Sequence, residues 1–223
     1  MKNNIAIIPA RGGSKRIKFK NKKYFFGKPV IVYSILTAKK SSLFKKIIVT
    51  TDDFEIAKIS KKYGASVEFI RPKLLSKNNV GILRVIKHTI NFYRNKKIKF
   101  DNVCCILPVA PLLDVSKIKK GYKLLKLKNS KFVFSAIRSS SKDKKFFTVD
   151  NQKKIKNISY KFKKGLFSDA GQFYWGSYSS WTNEKKIFSN ESVVLKMMSS
   201  DAIDVNDNND WKNLLIKYKK KYL

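Results

Sequence analysis

The stretch IIPARGGSKRIKFKN, residues 7–21, decides the fold. Ile5–Pro9 is an apolar run bounded by turn signals, the pattern of a buried strand. It runs straight into Arg11, Gly12, Gly13, Ser14 and Lys15, with Lys20 and Asn21 close behind. Glycines let backbone amides approach phosphate oxygens, and Arg11 and Lys15 supply charge. The spacing is neither that of a P-loop nor G-x-G-x-x-G. The loop therefore reads as a phosphate cradle of another kind, with an ordinary basic turn as the alternative.

Working outward, strand and helix signals alternate over the first 136 residues. After the loop at 10–28, a helix is expected at Val30–Lys40 and a strand at Lys46–Thr50. A helix at 53–62 is stopped by Gly64, and a short strand at Glu68–Ile70 follows. A helix at 81–94 carries Leu83, Ile86, Ile90 and Tyr93 on one face. A strand at Val103–Leu107, a helix at 116–127 and a strand at Phe132–Ala136 complete the series. Such alternation implies right-handed crossovers and a mostly parallel sheet flanked by helices. Ligands of such sheets gather at the carboxyl ends of the strands, where the loop at 10–21 lies.

After residue 137 the pattern changes. Residues 138–165 are polar and lysine-rich, with FFTV and IKNI runs flanking Asp150–Asn151 as in a hairpin. An aromatic strand is expected at Gly171–Trp175, a further strand at Val193–Met197 and a closing helix at 209–219. The expectation is one domain over 1–223, with 138–168 as an inserted antiparallel excursion.

Two more segments carry polar chemistry. DAIDVNDNNDW, residues 201–211, is a conspicuous acidic stretch in a basic chain. On extended backbone Asp204 and Asn206 share a face and suit Mg²⁺, which takes one or two carboxylates plus phosphates and water. The competing role is helix N-capping, and Asp210 is assigned to it. In DAGQFYWG, residues 169–176, Asp169 and Gln172 could hydrogen-bond a polyol, while Phe173, Tyr174 and Trp175 read as core.

Composition bounds the rest. The 223 residues include 43% hydrophobic side chains, enough for a packed core. No apolar run is long enough to span a membrane, and the N-terminus lacks a signal-peptide core. Cys104 and Cys105 are adjacent in an apolar run, which excludes a disulfide scaffold by count, and the cytoplasm is the expected location. The net charge is +35, from 50 Lys and Arg against 15 Asp and Glu. This excess is mostly Lys and spread from end to end, so a solvated surface is the reading, with a nucleic-acid-binding role as the lesser alternative. His88, the one histidine, sits mid-helix beside Lys87 and reads as structural.

Taken together, these motifs resemble the sugar-acid cytidylyltransferase family. IIPARGGSKRIKFKN is similar to its N-terminal signature; IIVTTDD (47–53), YGA (63–65), FIRPKLLS (69–76) and ILPVAPLL (106–113) recur in family order. DVNDNNDW (204–211) resembles its metal segment, and DAGQFYWG with IFSNES (187–192) looks most like the pseudaminic acid branch. The resemblance implies a Rossmann-like α/β fold with a dimerisation excursion, and hence a homodimer. It implies transfer of CMP from CTP to a nine-carbon acidic sugar. It places Arg11, Lys15 and Lys20 at the reacting phosphates, and Ala10, Gly12, Gly13, Ser14, Asn21 and Arg71 at the nucleotide. Asp169 and Gln172 fall at the sugar, and Asp204 and Asn206 at Mg²⁺. The chain departs from the family pattern at Lys77–Asn78, where Asp-Asp is frequent, and at Val109, where a hydroxyl residue is common.

Overall fold

The computed structural model describes residues 3–128, 130–139, 145–161, 163 and 165–223. The elements follow in order. β1 (Asn4–Pro9) leads through the loop to a two-stranded ribbon, β2 (Tyr24–Phe25) and β3 (Lys28–Pro29). α1 (Val30–Ser41), β4 (Lys46–Thr50), α2 (Phe54–Lys62) and α3 (Ile82–Asn95) come next. β5 (Asn102–Ile106), α4 (Val115–Lys128) and β6 (Phe132–Arg138) complete the alternating half. β7 (Phe146–Val149), β8 (Ile155–Ser159), β9 (Phe167–Ser177), α5 (Tyr178–Asn183), β10 (Ser192–Lys196) and α6 (Asn208–Tyr222) form the second half.

The central sheet has the order β10-β6-β9-β5-β1-β4. β1 pairs in parallel with β4 and β5, and β6 with β10, while β9 runs antiparallel to both β5 and β6. β9 alone therefore opposes the other strands of this path, and the sheet is mostly parallel as the strand–helix alternation implies. Glu68–Ile70 differs from expectation. It makes only an isolated bridge from Ile70 to Thr51, beside a second from Ser66 to Ile48, because too few residues are extended for a ladder.

Side-chain alternation along β1 explains why both faces are covered. Ala6 and Ile8 point into one cluster with Ile35, Ile56 and Ile118, from α1, α2 and α4. Ile5 and Ile7 point into the opposite cluster with Ile86, Ile90 and Trp181, from α3 and α5. The aromatics of 173–175 are core, and Trp175 donates its indole N–H to the Ile118 carbonyl at 3.1 Å. Cys104 and Cys105 are free and buried, and burial pushes both thiols well up. His88 sits half-buried with its ring edge-on to Phe69.

A third, smaller cluster matters for function. Ile17 from the glycine loop packs with Phe25, Val109, Val205, Trp211 and Leu214. The start of the chain is thereby stapled to α6 and the segment before it. Val109 is spent in this packing. The β7–β8 hairpin forms around Asp150–Asn151 as expected, and its turn docks on the sheet through a Val194 N–H bond to the Lys153 carbonyl at 2.8 Å. Part of the excursion, residues 140–144, 162 and 164, lies outside the described residues.

Candidate functional site

The site forms where β1, β4 and β5 end. Ala10 is fully buried and donates its N–H to the Thr50 carbonyl at 3.0 Å, which carries the pairing one residue past β1. The chain then turns away from the sheet. Gly12 donates its N–H to Asp52 Oδ1 at 3.0 Å. A Cβ at Gly12 would stand 2.7 Å from Asp53 Oδ2, so no larger residue fits there. Asp53 cannot yield easily. It caps α2 by accepting from the N–H groups of Glu55 and Ile56, both at 2.9 Å, and pairs with Lys22 at 2.9 Å. Gly13 faces open space, and Ser14 closes the turn by donating its N–H to the Gly12 carbonyl at 3.0 Å.

Asn21 is buried and donates its amide to the Arg11 carbonyl at 2.8 Å, holding the two arms of the loop together. Among the described residues its Oδ1 is buried without a hydrogen-bond partner. Lys20 reaches across the chain and donates to the Val205 carbonyl at 2.6 Å. Burial presses the Lys20 ammonium below the ordinary lysine value, and Asp204 opposes that shift. Arg16 donates to Asn206 Oδ1 at 3.2 Å, and Asn206 donates its amide to Asp204 Oδ2 at 2.8 Å. The basic loop and the acidic stretch, far apart in sequence, are therefore one site.

The start of α6 corrects one assignment. The N-cap is Asp207, whose Oδ1 accepts from the Asp210 N–H at 2.9 Å. Asp210 is its reciprocal partner three residues on: its Oδ2 accepts from the N–H of Asp207 at 3.1 Å and of Asn206 at 2.8 Å. Either acid could cap by type. This capping box decides the order, and it also fixes the backbone of Asn206.

Two adjoining cavities open here. One, of about 260 Å³, has a polar wall including Arg11, Asn21 and Arg71 and an apolar wall including Leu75, Val80 and Ile82. The other, of about 300 Å³, is lined by Ser14, Lys15, Arg16, Lys20 and Asn206 among others. Arg11 and Asn78 line both and are hydrogen-bonded across the boundary. Arg71 is buried and fixed. It donates to the Thr50 carbonyl at 3.2 Å and to Ser76 Oγ at 3.0 Å, and faces Asp52 at 3.6 Å. An apolar slot beside a cationic one suits a heterocyclic base joined to a polyphosphate.

Asp169 and Gln172 line neither cavity. Asp169 is half-buried; its carboxylate accepts from the Tyr174 hydroxyl and from the Gly171 N–H at 3.0 Å. Gln172 is buried, and its amide nitrogen lies within bonding distance of the carbonyls of Ala170 (2.8 Å), Gly171 (3.0 Å) and Ile203 (3.1 Å). The last contact leads to the metal segment. A Cβ at Gly171, which has φ +61°, would stand 2.8 Å from Asp204 Cβ, Cγ and Oδ1. The DAGQ turn is therefore the seat on which Asp204 rests.

Among the described residues no cluster of three His, Cys, Asp or Glu forms a ready metal cage. Asp204, which is exposed, and the Asn206 amide supply one carboxylate and one neutral oxygen. That hard, sparse donor set fits Mg²⁺, which takes most of its other ligands from phosphates and water. Arg16, Asp52, Asn78 and Asp207 are site residues that the motifs left unassigned. Each sat inside a segment with a signal: Arg16 in the basic loop, Asp52 in the TDD run after β4, Asn78 at the departure from the family pattern and Asp207 in the acidic stretch.

The family model described as Cytidylyltransferase matches residues 5–193. The chain is 34% identical to a pseudaminic acid cytidylyltransferase of Campylobacter jejuni, covering 97% of this chain and 96% of that protein. It is 27% identical to an N-acylneuraminate cytidylyltransferase of Escherichia coli, covering 97% of this chain and 52% of that one. Among solved structures, a CMP:2-keto-3-deoxy-manno-octonic acid synthetase complexed with CTP superposes with TM-score 0.78 at 11% identity, covering 99% of this chain and 100% of that one. That likeness is one of fold.

Proposed function

Because the chain belongs to the cytidylyltransferase family, we propose that it transfers CMP from CTP to the anomeric hydroxyl of a nonulosonic acid, pseudaminic acid, releasing pyrophosphate. The observation that carries this reading is the convergence of Arg11, Lys15, Lys20 and Asn206 on the cationic cavity, with Asp204 hydrogen-bonded to Asn206, next to a slot with an apolar wall.

The sugar hydroxyl oxygen bonds to the α-phosphorus and loses its proton to solvent, and the bond from that phosphorus to the β-phosphate bridging oxygen breaks. Charge grows on the departing pyrophosphate. Fixed cations stabilise that charge more than they stabilise bound CTP, which is the part of binding that raises turnover. Arg11, Lys15 and Lys20 take this role. Ala10, Gly12, Gly13 and Ser14 shape the loop around the phosphates, and Asn21 and Arg71 face the nucleoside side. Asp204 and Asn206 would hold Mg²⁺, which neutralises phosphate charge when bound. Asp169 is the candidate sugar ligand. Gln172 supports the segment that carries Asp204.

The enzyme is proposed to work in the cytoplasm as a homodimer through the excursion. Ile158 on β8 and Tyr160 just past its end, both exposed, support that surface. The test supplies CTP, Mg²⁺ and a panel of nonulosonic acids and follows pyrophosphate release. Pseudaminic acid is expected to give the highest kcat/KM. A sialic or legionaminic acid turned over more efficiently would refute the choice of sugar while leaving the reaction.

A further inference from the structure

We propose that Asp52 is a positioning residue that couples the phosphate loop to Arg71, so that one carboxylate sets both halves of the nucleotide site. The inference rests on the CTP-binding reading above.

Asp52 stands just past the end of β4 and is partly buried, with 20% of its side chain exposed. Its Oδ1 meets both partners. It accepts the Gly12 N–H at 3.0 Å and lies 3.6 Å from Arg71 Nη2. Gly12 is the residue whose packing against Asp53 sets the direction of the loop. Arg71 is buried and lines the slot with the apolar wall. Its other two nitrogens are already bound to Thr50 and Ser76, so it has little freedom of its own. A guanidinium buried this deeply is costly unless a negative charge faces it. Asp52 is the carboxylate in that position, and Asp53, its neighbour, is committed to the α2 cap and Lys22.

The consequence is a chain of contacts from loop to slot: Gly12, Asp52, Arg71. Removing the carboxylate frees the Gly12 amide and leaves Arg71 buried without a counter-charge. Both changes act on CTP, and neither touches the sugar directly.

The test is a double-mutant cycle on CTP affinity, measured by calorimetry without sugar, so no turnover is needed. The four proteins are wild type, Asp52→Ala, Arg71→Ala and the double variant. Asp52→Ala is expected to weaken CTP at least about fivefold, and to weaken it by less than about half as much, on a logarithmic scale, once Arg71 is gone. The KM for the sugar should stay within about twofold. Asp52→Asn, which keeps an acceptor for Gly12 but loses the charge, replaces Asp52→Ala in the cycle if the latter does not fold. Additive losses, or CTP affinity within about twofold of wild type, would overturn the coupling. If wild type binds CTP but turns over no acidic sugar, the function reading fails and the coupling is still decided.

Discussion

The Lys20 ammonium donates to the Val205 carbonyl at 2.6 Å, across 185 positions of sequence. This contact closes the basic loop onto the acidic segment. It also buries the charge that the proposed reaction uses, and burial is the main reason its pKa falls below the ordinary lysine value of 10.5.

That shift has a sign that kinetics can read. The cation is the active form, and it persists below the depressed pKa. Activity is therefore lost as pH rises through a value lower than that of a free lysine. The alkaline limb of kcat/KM, which reports the free enzyme, should fall early. Lys20→Arg should remove the limb while keeping measurable turnover. Lys20→Met should cut turnover at least about tenfold, roughly 1.4 kcal/mol of transition-state stabilisation. A wild-type profile in Lys20→Arg would show that another group titrates.

Gly171 tests the seat beneath Asp204. An added methyl would press on the Asp204 side chain at 2.8 Å and would also strain a backbone at φ +61°. Gly171→Ala should destabilise the fold by about 1 kcal/mol and raise the Mg²⁺ concentration needed for half-maximal rate several-fold. A lower melting temperature with unchanged Mg²⁺ dependence would leave Gly171 as a turn residue only.

The metal segment and the helix cap separate in a Mg²⁺ titration. Asp204→Asn should nearly abolish activity, because it leaves two amides to hold a hard cation. Direct titration with Mn²⁺, followed by its paramagnetic resonance signal, should show weakened binding in the same variant. Asn206→Asp should be tolerated. Asp207→Ala should cost about 1 kcal/mol of stability through the cap, with little effect on the metal. If Asp207→Ala raises the Mg²⁺ requirement and Asp204→Asn does not, ligand and cap are reversed.

Asp201 governs acid stability at the other end of the segment. It is mostly buried between Lys221 at 2.7 Å and Lys117 at 3.4 Å, and the hydrogen bond from Lys221 holds its pKa below the usual 3.8. A depressed carboxylate stabilises the fold above the unfolded value and loses that contribution as pH falls through the folded one. Asp201→Asn should cost about 1 kcal/mol at neutral pH, a figure kept low because both lysines are partly exposed. The gap to wild type should shrink at pH below 3.8. A gap independent of pH would mean that the loss comes from packing.

Much of this molecule is legible in its sequence. Ile5–Pro9 running into Arg11–Lys15 marks a buried strand feeding a phosphate loop, and Ile86 with Ile90 marks the core face of α3. What could not be read depends on long-range contacts. Nothing local says that Lys20 meets Val205, or that Arg16 meets Asn206. Gln172 reads as available because its amide is polar; only the fold brings that amide to the carbonyls of Ala170, Gly171 and Ile203. Asp207 and Asp210 are equivalent as cap candidates by type; their reciprocal bonds appear only in the folded turn. Glu68–Ile70 reads as a short strand because a three-residue run looks the same in sequence whether it pairs in a ladder or, as here, only through an isolated bridge at Ile70.

The most direct test of CMP transfer follows ³¹P resonances in a mixture of the protein, CTP, Mg²⁺ and pseudaminic acid. The expected result is loss of the CTP signals with matched growth of one phosphodiester resonance and of pyrophosphate, both slowed at least about tenfold by Lys15→Ala. Unchanged CTP with every nonulosonic acid supplied, or CTP hydrolysed without a phosphodiester product, would contradict it.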